Sequence, residues 1–382
     1  MSKRIYMYYL LQLFLLITIP YIISEKSNGE YFLKGDCFYY KAIVVSILED
    51  GDLILDNNIA SQHHFNGQLS LGKSGNLVPK HSIFMPIISS PFYYFLGNEG
   101  LLLFNIINCF TIIFLMYKLN KEFHRPLISF LTAIIYFPCT LFLYYSYNYS
   151  PDIFSTIFII STLYFLFRNK FYLSTTLLGF SIFAKITNLI LAVPILIYIM
   201  IFVFLDSNNG FEILLFNWKK KLVKLLTVLL IFFVSLFPFF YTNIILFGSP
   251  IESSYENIVI SKDHRNNIII DDCSSKFNQP FFGGAINIFF NVKNGIISTN
   301  PILLVSFLGC ILLFFEKRAD KKIFLLIILI SSQILFFSKY DYWEASQFSN
   351  RFLMPMIVIS SVFTGYFINH LIVRYQQIVS SK

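Results

Sequence analysis

The chain has 382 residues, 56% of them hydrophobic and 13% charged, with a formal net charge of +8. Soluble domains carry about a quarter charged residues, so an ordinary soluble enzyme is excluded, and the apolar residues fall in long blocks that fit a polytopic membrane protein. The positive charge is no nucleic-acid footprint, because its Lys and Arg residues sit in loops in the pattern that orients membrane proteins.

A bilayer span takes ~20 apolar residues. Segments of that character lie at 5–24, 99–117, 127–147, 150–167, 171–186, 188–205, 224–246, 297–315, 322–339 and 352–373. The expected fold is all-α, a bundle of about ten transmembrane helices, in one membrane domain over 1–382. The opening "MSKR", Lys118–Arg125, Arg168–Lys170, Asn217–Lys224 and Glu316–Lys322 separate alternate spans. All fall on one side if the N-terminus is cytoplasmic, and the C-terminal "RYQQIVSSK" then lies inside as well. The first segment has the charged start and apolar core of a signal peptide but no A-x-A site, and reads as an uncleaved first span. Two long loops, 25–98 and 247–296, are then outside, with shorter outer segments at Ser146–Asp152 and Ser338–Arg351.

The first outer loop contains "GDCFYYKAIVVSILEDGDL" (Gly35–Leu53). Phe38, Ile43, Val45, Ile47 and Leu48 have helical spacing, which predicts an amphipathic helix lying in the membrane interface. Asp36 stands at its N-terminus, where the helix dipole favours an acid, and read alone it is a helix cap. Asp50 and Asp52 have the D-x-D spacing of metal–nucleotide sites, but Gly51 between them reads as a turn. The adjacent His63 and His64 read as loop surface. Further on, Lys80 and His81 precede the apolar run Ser82–Gly97, which contains Pro86 and Pro91 and reads as a re-entrant or interfacial helix. Its basic head suits a lipid phosphate or simple snorkelling.

Lys185 interrupts an apolar block at an outer turn, and an ionisable residue there is a functional candidate by default. Asp152 follows a short outer segment, and Arg351 begins the last span on the same side. Two acids and several cations thus gather on the face opposite the positive-inside surface, so orientation signals do not account for the cations. Cys109, Cys139 and Cys310 fall in spans and read as packing residues. Cys37 and Cys273 fall in outer loops, which permits a disulfide that two cysteines alone do not establish.

These segments resemble, in chain order, those of the GT-C glycosyltransferases that use polyprenyl-phosphate sugars, especially the protein mannosyltransferases and lipid A aminoarabinose transferases. "GDCFYYKAIVVSILEDGDL" resembles the first outer loop of that family, and "HSIFMPIISSPFYYFLG" its proline-rich segment. "NYSPD" resembles the element carrying a second acid, and "FAKITNL" the L-T-K segment. "FGSPIESSY" and "WEASQFSNRFLMPM" resemble the later outer motifs. The chain departs from the family at Cys37, where many members have Glu after the Asp, and at Glu344, Ala345 and Ser349, where the tryptophan motif has glycines.

The resemblance implies a GT-C-like bundle and a membrane glycosyltransferase. It would move a sugar from a polyprenyl-phosphate donor to an acceptor hydroxyl on a lipid, glycan or protein at the outer face. It implies Asp36 as the catalytic base, Asp152 as its partner in catalysis, and Lys80, His81, Lys185 and Arg351 as donor-phosphate-binding residues. It implies no metal and no cofactor beyond the lipid-linked donor, and a bacterial inner membrane with both termini cytoplasmic. Three other readings are a lipid-linked glycan flippase or transporter, an O-antigen-polymerase-like protein and a non-catalytic membrane scaffold. The absence of a sequence repeat and the few charges deep in the spans weigh against a transporter.

Overall fold

The structure is a computed structural model and describes residues 3–27, 33, 35–59, 64–205, 218–252, 254–262, 268–271, 276–316, 319–343 and 350–380. Each expected span is occupied by apolar helix. Three of these helical stretches are long and apolar enough to cross a membrane among the described residues: Asn98–Asn120, Lys219–Phe247 and Arg351–Ser380. The others are shorter or interrupted. The expected span 127–147 is not one helix, because Pro126–Tyr136 ends at a turn and only the short helix Leu141–Tyr145 follows. The Thr140 hydroxyl caps that short helix by accepting from Phe142 N. The helices Trp218–Ser235 and Phe237–Phe247 meet at Leu236, where Pro238 at the start of the second removes a backbone donor.

The main core runs through the bundle, with Phe14, Met116, Tyr136, Phe142, Leu163, Ile195, Leu326 and Ile357 buried in it. Small and hydroxyl-bearing residues set its closest contacts. Gly309 of Ile302–Phe315 lies so near Met354–Ser380 that a Cβ there would stand 1.9 Å from the Phe363 carbonyl oxygen. Beside it Ser306 and Thr364 share a hydrogen bond of 2.7 Å, and Tyr136 and Ser360 one of 2.6 Å. Small residues let helix backbones approach, and hydroxyl bonds add to packing where apolar helices gain little from burial in lipid.

The two long loops are less purely helical than expected. They form a four-stranded antiparallel sheet of β1 (His64–Leu71), β2 (Leu77–Pro79), β3 (Ile258–Lys262) and β4 (Ile268–Asp271), in the order β2-β1-β3-β4. The pairing of Leu69 with Val259 and of Ser70 with Ile258 joins the first loop to the second, so both loops sit at the same end of the bundle. Phe65, Leu69 and Val259 point into a second hydrophobic core under the sheet. That core also takes Cys37, Tyr40 and Ile43, together with Tyr149, Phe154 and Phe183 from the ends of bundle helices. Phe84 ties the layers together, stacking on Phe183 at 4.8 Å and meeting Phe154 edge-on at 5.2 Å.

Candidate active site

The expected loop helix forms over Asp36–Val45, entered through Gly35 at a positive φ of 60° and continued by a π-helical turn over Ser46–Asp50. It differs from an amphipathic surface helix. Cys37, Tyr39, Tyr40, Ala42, Ile43 and Val44 are all buried, because the sheet and the helix Phe84–Leu96 cover faces that the spacing alone assigned to water. Asp36 is the first residue of this helix, and its carboxylate accepts a hydrogen bond from Arg351 Nη2.

The segment Ser146–Asp152, expected as a short outer loop, is buried throughout. Three elements satisfy several of its polar groups. Asn105 Nδ2, from the helix Asn98–Asn120, donates to the carbonyls of Tyr145 and Ser146 at 2.8 and 3.0 Å. The Cys37 thiol donates to Asn148 Oδ1 at 2.7 Å, and Ser89 and Tyr149 hydroxyls share a bond of 2.5 Å. This strapping delivers Asp152 to the first turn of the helix Pro151–Phe167 with its side chain 3% exposed.

Lys185 lies at the break between the helices Phe171–Ala184 and Leu189–Leu205, where its backbone is extended. Its ammonium pairs with Asp152 and stands 4.7 Å from the centre of the Phe352 ring. Arg351 opens the turn before the last helix, directly after Asn350 in a left-handed conformation. Its guanidinium joins both acids, with Nη2 on Asp36 and Nε 3.6 Å from Asp152 Oδ2. Four residues from four separate chain regions thus form one chain of charges, Asp36–Arg351–Asp152–Lys185.

The electrostatics follow from burial opposed by pairing. Burial alone would raise the Asp36 carboxyl, but Arg351, with His81 and Lys80 beside it, outweighs burial and holds Asp36 below the ordinary carboxylate range. Burial, then the neighbouring Asp36, pushes the Cys37 thiol up, so it serves as a neutral donor.

Lys80 and His81 border this cluster. Lys80 Nζ donates to the Gly67 carbonyl at 2.6 Å and lies 5.2 Å from the Tyr255 ring centre. His81 Nε2 bonds Gln68 Oε1 at 2.6 Å, and its ring stacks on Tyr40 at 5.4 Å. Burial, reinforced by Lys80, pushes the His81 imidazole down to about 3, so near neutral pH it offers hydrogen bonds and no charge. The turn reading of Asp50 and Asp52 holds. Gly51 is left-handed at φ 73°, Asp52 Oδ1 accepts from Ser46 Oγ and Ile54 N, and Asp50 Oδ2 accepts from Asn58. His63, Cys273, Glu344, Ala345 and Ser349 lie outside the described residues. A concavity of about 540 Å³ does not open on the charged cluster. It lies beside the sheet, between Ile47, Leu53, Val78, Ile83, Ile87 and Leu246, with Lys73 at its edge.

Several of these partners were not singled out from the sequence. Asn105 and Asn148 carry the one available signal, an amide in an otherwise apolar or aromatic run, which when buried demands a partner.

No protein-family model and no curated protein matches the sequence. Among solved structures, ArnT from Cupriavidus metallidurans bound to undecaprenyl phosphate superposes with a TM-score of 0.53 at 12% identity, over 86% of this chain. AglB, the oligosaccharyltransferase of Archaeoglobus fulgidus, in complex with an inhibitory peptide and a dolichol-phosphate, gives 0.54 at 13% over 98%. The chain has the GT-C fold. It spans about half the length of each of these proteins, 55% of the first and 52% of the second. With the GT-C fold and its long apolar helices, the chain is an integral membrane protein.

Proposed function

We propose that the protein is a membrane glycosyltransferase that takes a sugar from a polyprenyl-phosphate donor and places it on an acceptor hydroxyl. One observation carries this reading. Two carboxylates and two cations from distant segments converge at the loop-bearing end of a GT-C bundle. ArnT, which shares the fold, was solved with undecaprenyl phosphate and AglB with a dolichol-phosphate, which supports a lipid-linked donor. The donor arrives from the outer leaflet, with both termini of the chain in the cytoplasm.

In the transfer, the acceptor oxygen forms a bond to the anomeric carbon as the bond from that carbon to the phosphate oxygen breaks. The bonding pair leaves with the lipid phosphate, whose charge Arg351, Lys185 and Lys80 offset. The acceptor proton passes to Asp36, which its depressed pKa keeps ionised and ready. Asp152 holds Lys185 and Arg351 in place, and His81 orients donor oxygens through neutral hydrogen bonds. The acceptor is a hydroxyl of a lipid, glycan or protein.

The test is transfer from a radiolabelled polyprenyl-phosphate sugar by purified protein in proteoliposomes. Asp36→Asn keeps the side-chain shape and removes proton acceptance, so transfer should fall by about 100-fold or more. Asp50→Asn, in the turn after the helix, should leave it unchanged. Movement of the intact sugar phosphate across the bilayer, with no bond broken, would instead identify a flippase.

A further inference from the structure

Arg351 has two tasks that conflict. The reading above gives it to the donor phosphate, yet in the structure it is held by both acids. The cluster Asp36, Asp152, Arg351 and Lys185 is balanced in charge, so an incoming phosphate meets no net attraction from it until a pair opens.

One observation favours opening at Arg351. Lys185 makes a direct hydrogen bond to Asp152, whose side chain is 3% exposed. Arg351 likewise hydrogen-bonds Asp36 through Nη2, but one of its donors is left over. Its Nε stands 3.6 Å from Asp152 Oδ2, beyond hydrogen-bond reach, and makes no hydrogen bond among the described residues. A buried donor left unmade costs free energy, and a phosphate oxygen would satisfy it. The planar guanidinium also matches phosphate with two parallel bonds, which an ammonium cannot do. Arg351 and Lys185 are the more open members of the cluster at 19% exposed each, against 13% for Asp36, so a ligand meets the cations first.

We infer that Arg351 is a donor-operated latch: it holds Asp36 in the ligand-free protein, and the donor phosphate releases Asp36 by taking the guanidinium. This rests on the reading of the cluster as a lipid-phosphate site. The consequence is an order of events. The donor binds first, and only then does Asp36 become free to accept the acceptor proton. The shift in basicity has the right sign. With Arg351 turned to the phosphate, the burial that otherwise raises the Asp36 carboxyl is less opposed, and Asp36 becomes a stronger base when it is needed. Coupling of this kind is reciprocal, so the charge on Asp36 must weaken phosphate binding as much as phosphate raises the Asp36 pKa.

The reciprocal effect is measurable. Undecaprenyl phosphate without sugar is the probe, and its binding to the full chain in lipid nanodiscs is measured for the wild-type protein, Asp36→Asn and Asp50→Asn. The latch predicts that Asp36→Asn binds the probe at least about fivefold more tightly while losing transfer, and that Asp50→Asn matches the wild type. A base with no latch predicts unchanged binding by Asp36→Asn. Wild-type binding and transfer with Asp36→Asn no tighter, at an unchanged thermal midpoint, would overturn the latch and leave the glycosyltransferase reading standing. No saturable binding by the wild type would overturn both. A second measurement uses no variant. The acid limb of kcat should lie at higher pH than that of kcat/KM, because only the donor complex has the guanidinium withdrawn. Coincident limbs contradict the latch.

Discussion

Arg351 donates a hydrogen bond to Asp36, 315 residues earlier in the chain, and the same guanidinium reaches towards Asp152. The contact closes the bundle on itself, since Asp36 opens the first loop helix and Arg351 leads into the last long helix. Removing one partner of a buried ion pair costs more than the pair contributes, because the other charge is left behind. Arg351→Gln strands two carboxylates. Both ends of the Arg351–Asp36 pair are partly open to solvent, which tempers the penalty to about 2–3 kcal/mol. The thermal midpoint in detergent reads it. Adding Asp36→Asn to Arg351→Gln should recover part of the loss, and simple additivity of the two changes would show that the residues are not coupled.

Lys185 carries a narrower prediction. On the proposed function, Lys185→Ala should weaken binding of undecaprenyl phosphate, since it removes one of the cations assigned to the phosphate. Lys121→Ala should not. Lys121 follows the far end of the helix Asn98–Asn120, about 33 Å from the end near the site. Equal losses in the two variants would mean that the lysine at the helix break has no special relation to the phosphate.

The pH dependence separates Asp36 from His81. His81 is held neutral down to about 3, so it does not titrate in the working range. Asp36 lies below the ordinary carboxylate value and stays ionised above it. The profile of kcat/KM, which reports the free enzyme, should therefore be flat from about pH 5 to 8 and fall only towards pH 4 and below. Folding stability follows the same sign. The contribution of a carboxyl with a depressed pKa is present above its unfolded value and is lost as pH falls through the folded one. An inflection near pH 6.5 would assign a titrating histidine to the reaction.

The sequence revealed what depends on long-range composition. Ten apolar blocks mark where the helices form, Lys185 stands out as a charge within one of them, and the resemblance in chain order singles out Asp36 and Asp152. The contacts among those residues are tertiary. Spacing within one segment gives no sign that Arg351 sits on Asp36. Surface and buried helices also differ only in what covers them, which is why the Asp36–Val45 helix read as interfacial. The β1–β2 hairpin did carry a local signal. Phe65, Leu69 and Leu71 alternate with smaller or polar residues before "GKSGN", a turn-forming run. The pairing of β1 with β3 had none, because it joins loops more than 180 residues apart in the chain.

That pairing makes the topology testable at two points. Ser74 is exposed in the β1–β2 turn, and Lys220 is exposed near the start of the helix Trp218–Ser235. In intact cells a membrane-impermeant maleimide should label Ser74→Cys, and label Lys220→Cys only after permeabilisation. The reverse pattern would put the charged cluster on the cytoplasmic face and remove the outer-leaflet donor from the scheme.

The last prediction concerns the bundle itself. Gly309 faces the backbone of Met354–Ser380, and a Cβ there would come within 1.9 Å of the Phe363 carbonyl oxygen. That atom belongs to a helix backbone and cannot swing aside as a flexible side chain would, so Gly309→Ala must push two helices apart. The separation would also stretch the Ser306–Thr364 bond, which lies one turn away on the same interface. A loss of about 2–3 kcal/mol is expected, the scale of overpacking in a tight core. Leu304 on the same helix is 49% exposed and faces away from that contact, so Leu304→Ala should change stability by less than about 1 kcal/mol. Thermal midpoints of the two variants in one detergent decide the matter. If Gly309→Ala is as stable as the wild type, the two helices do not approach this closely in the folded protein.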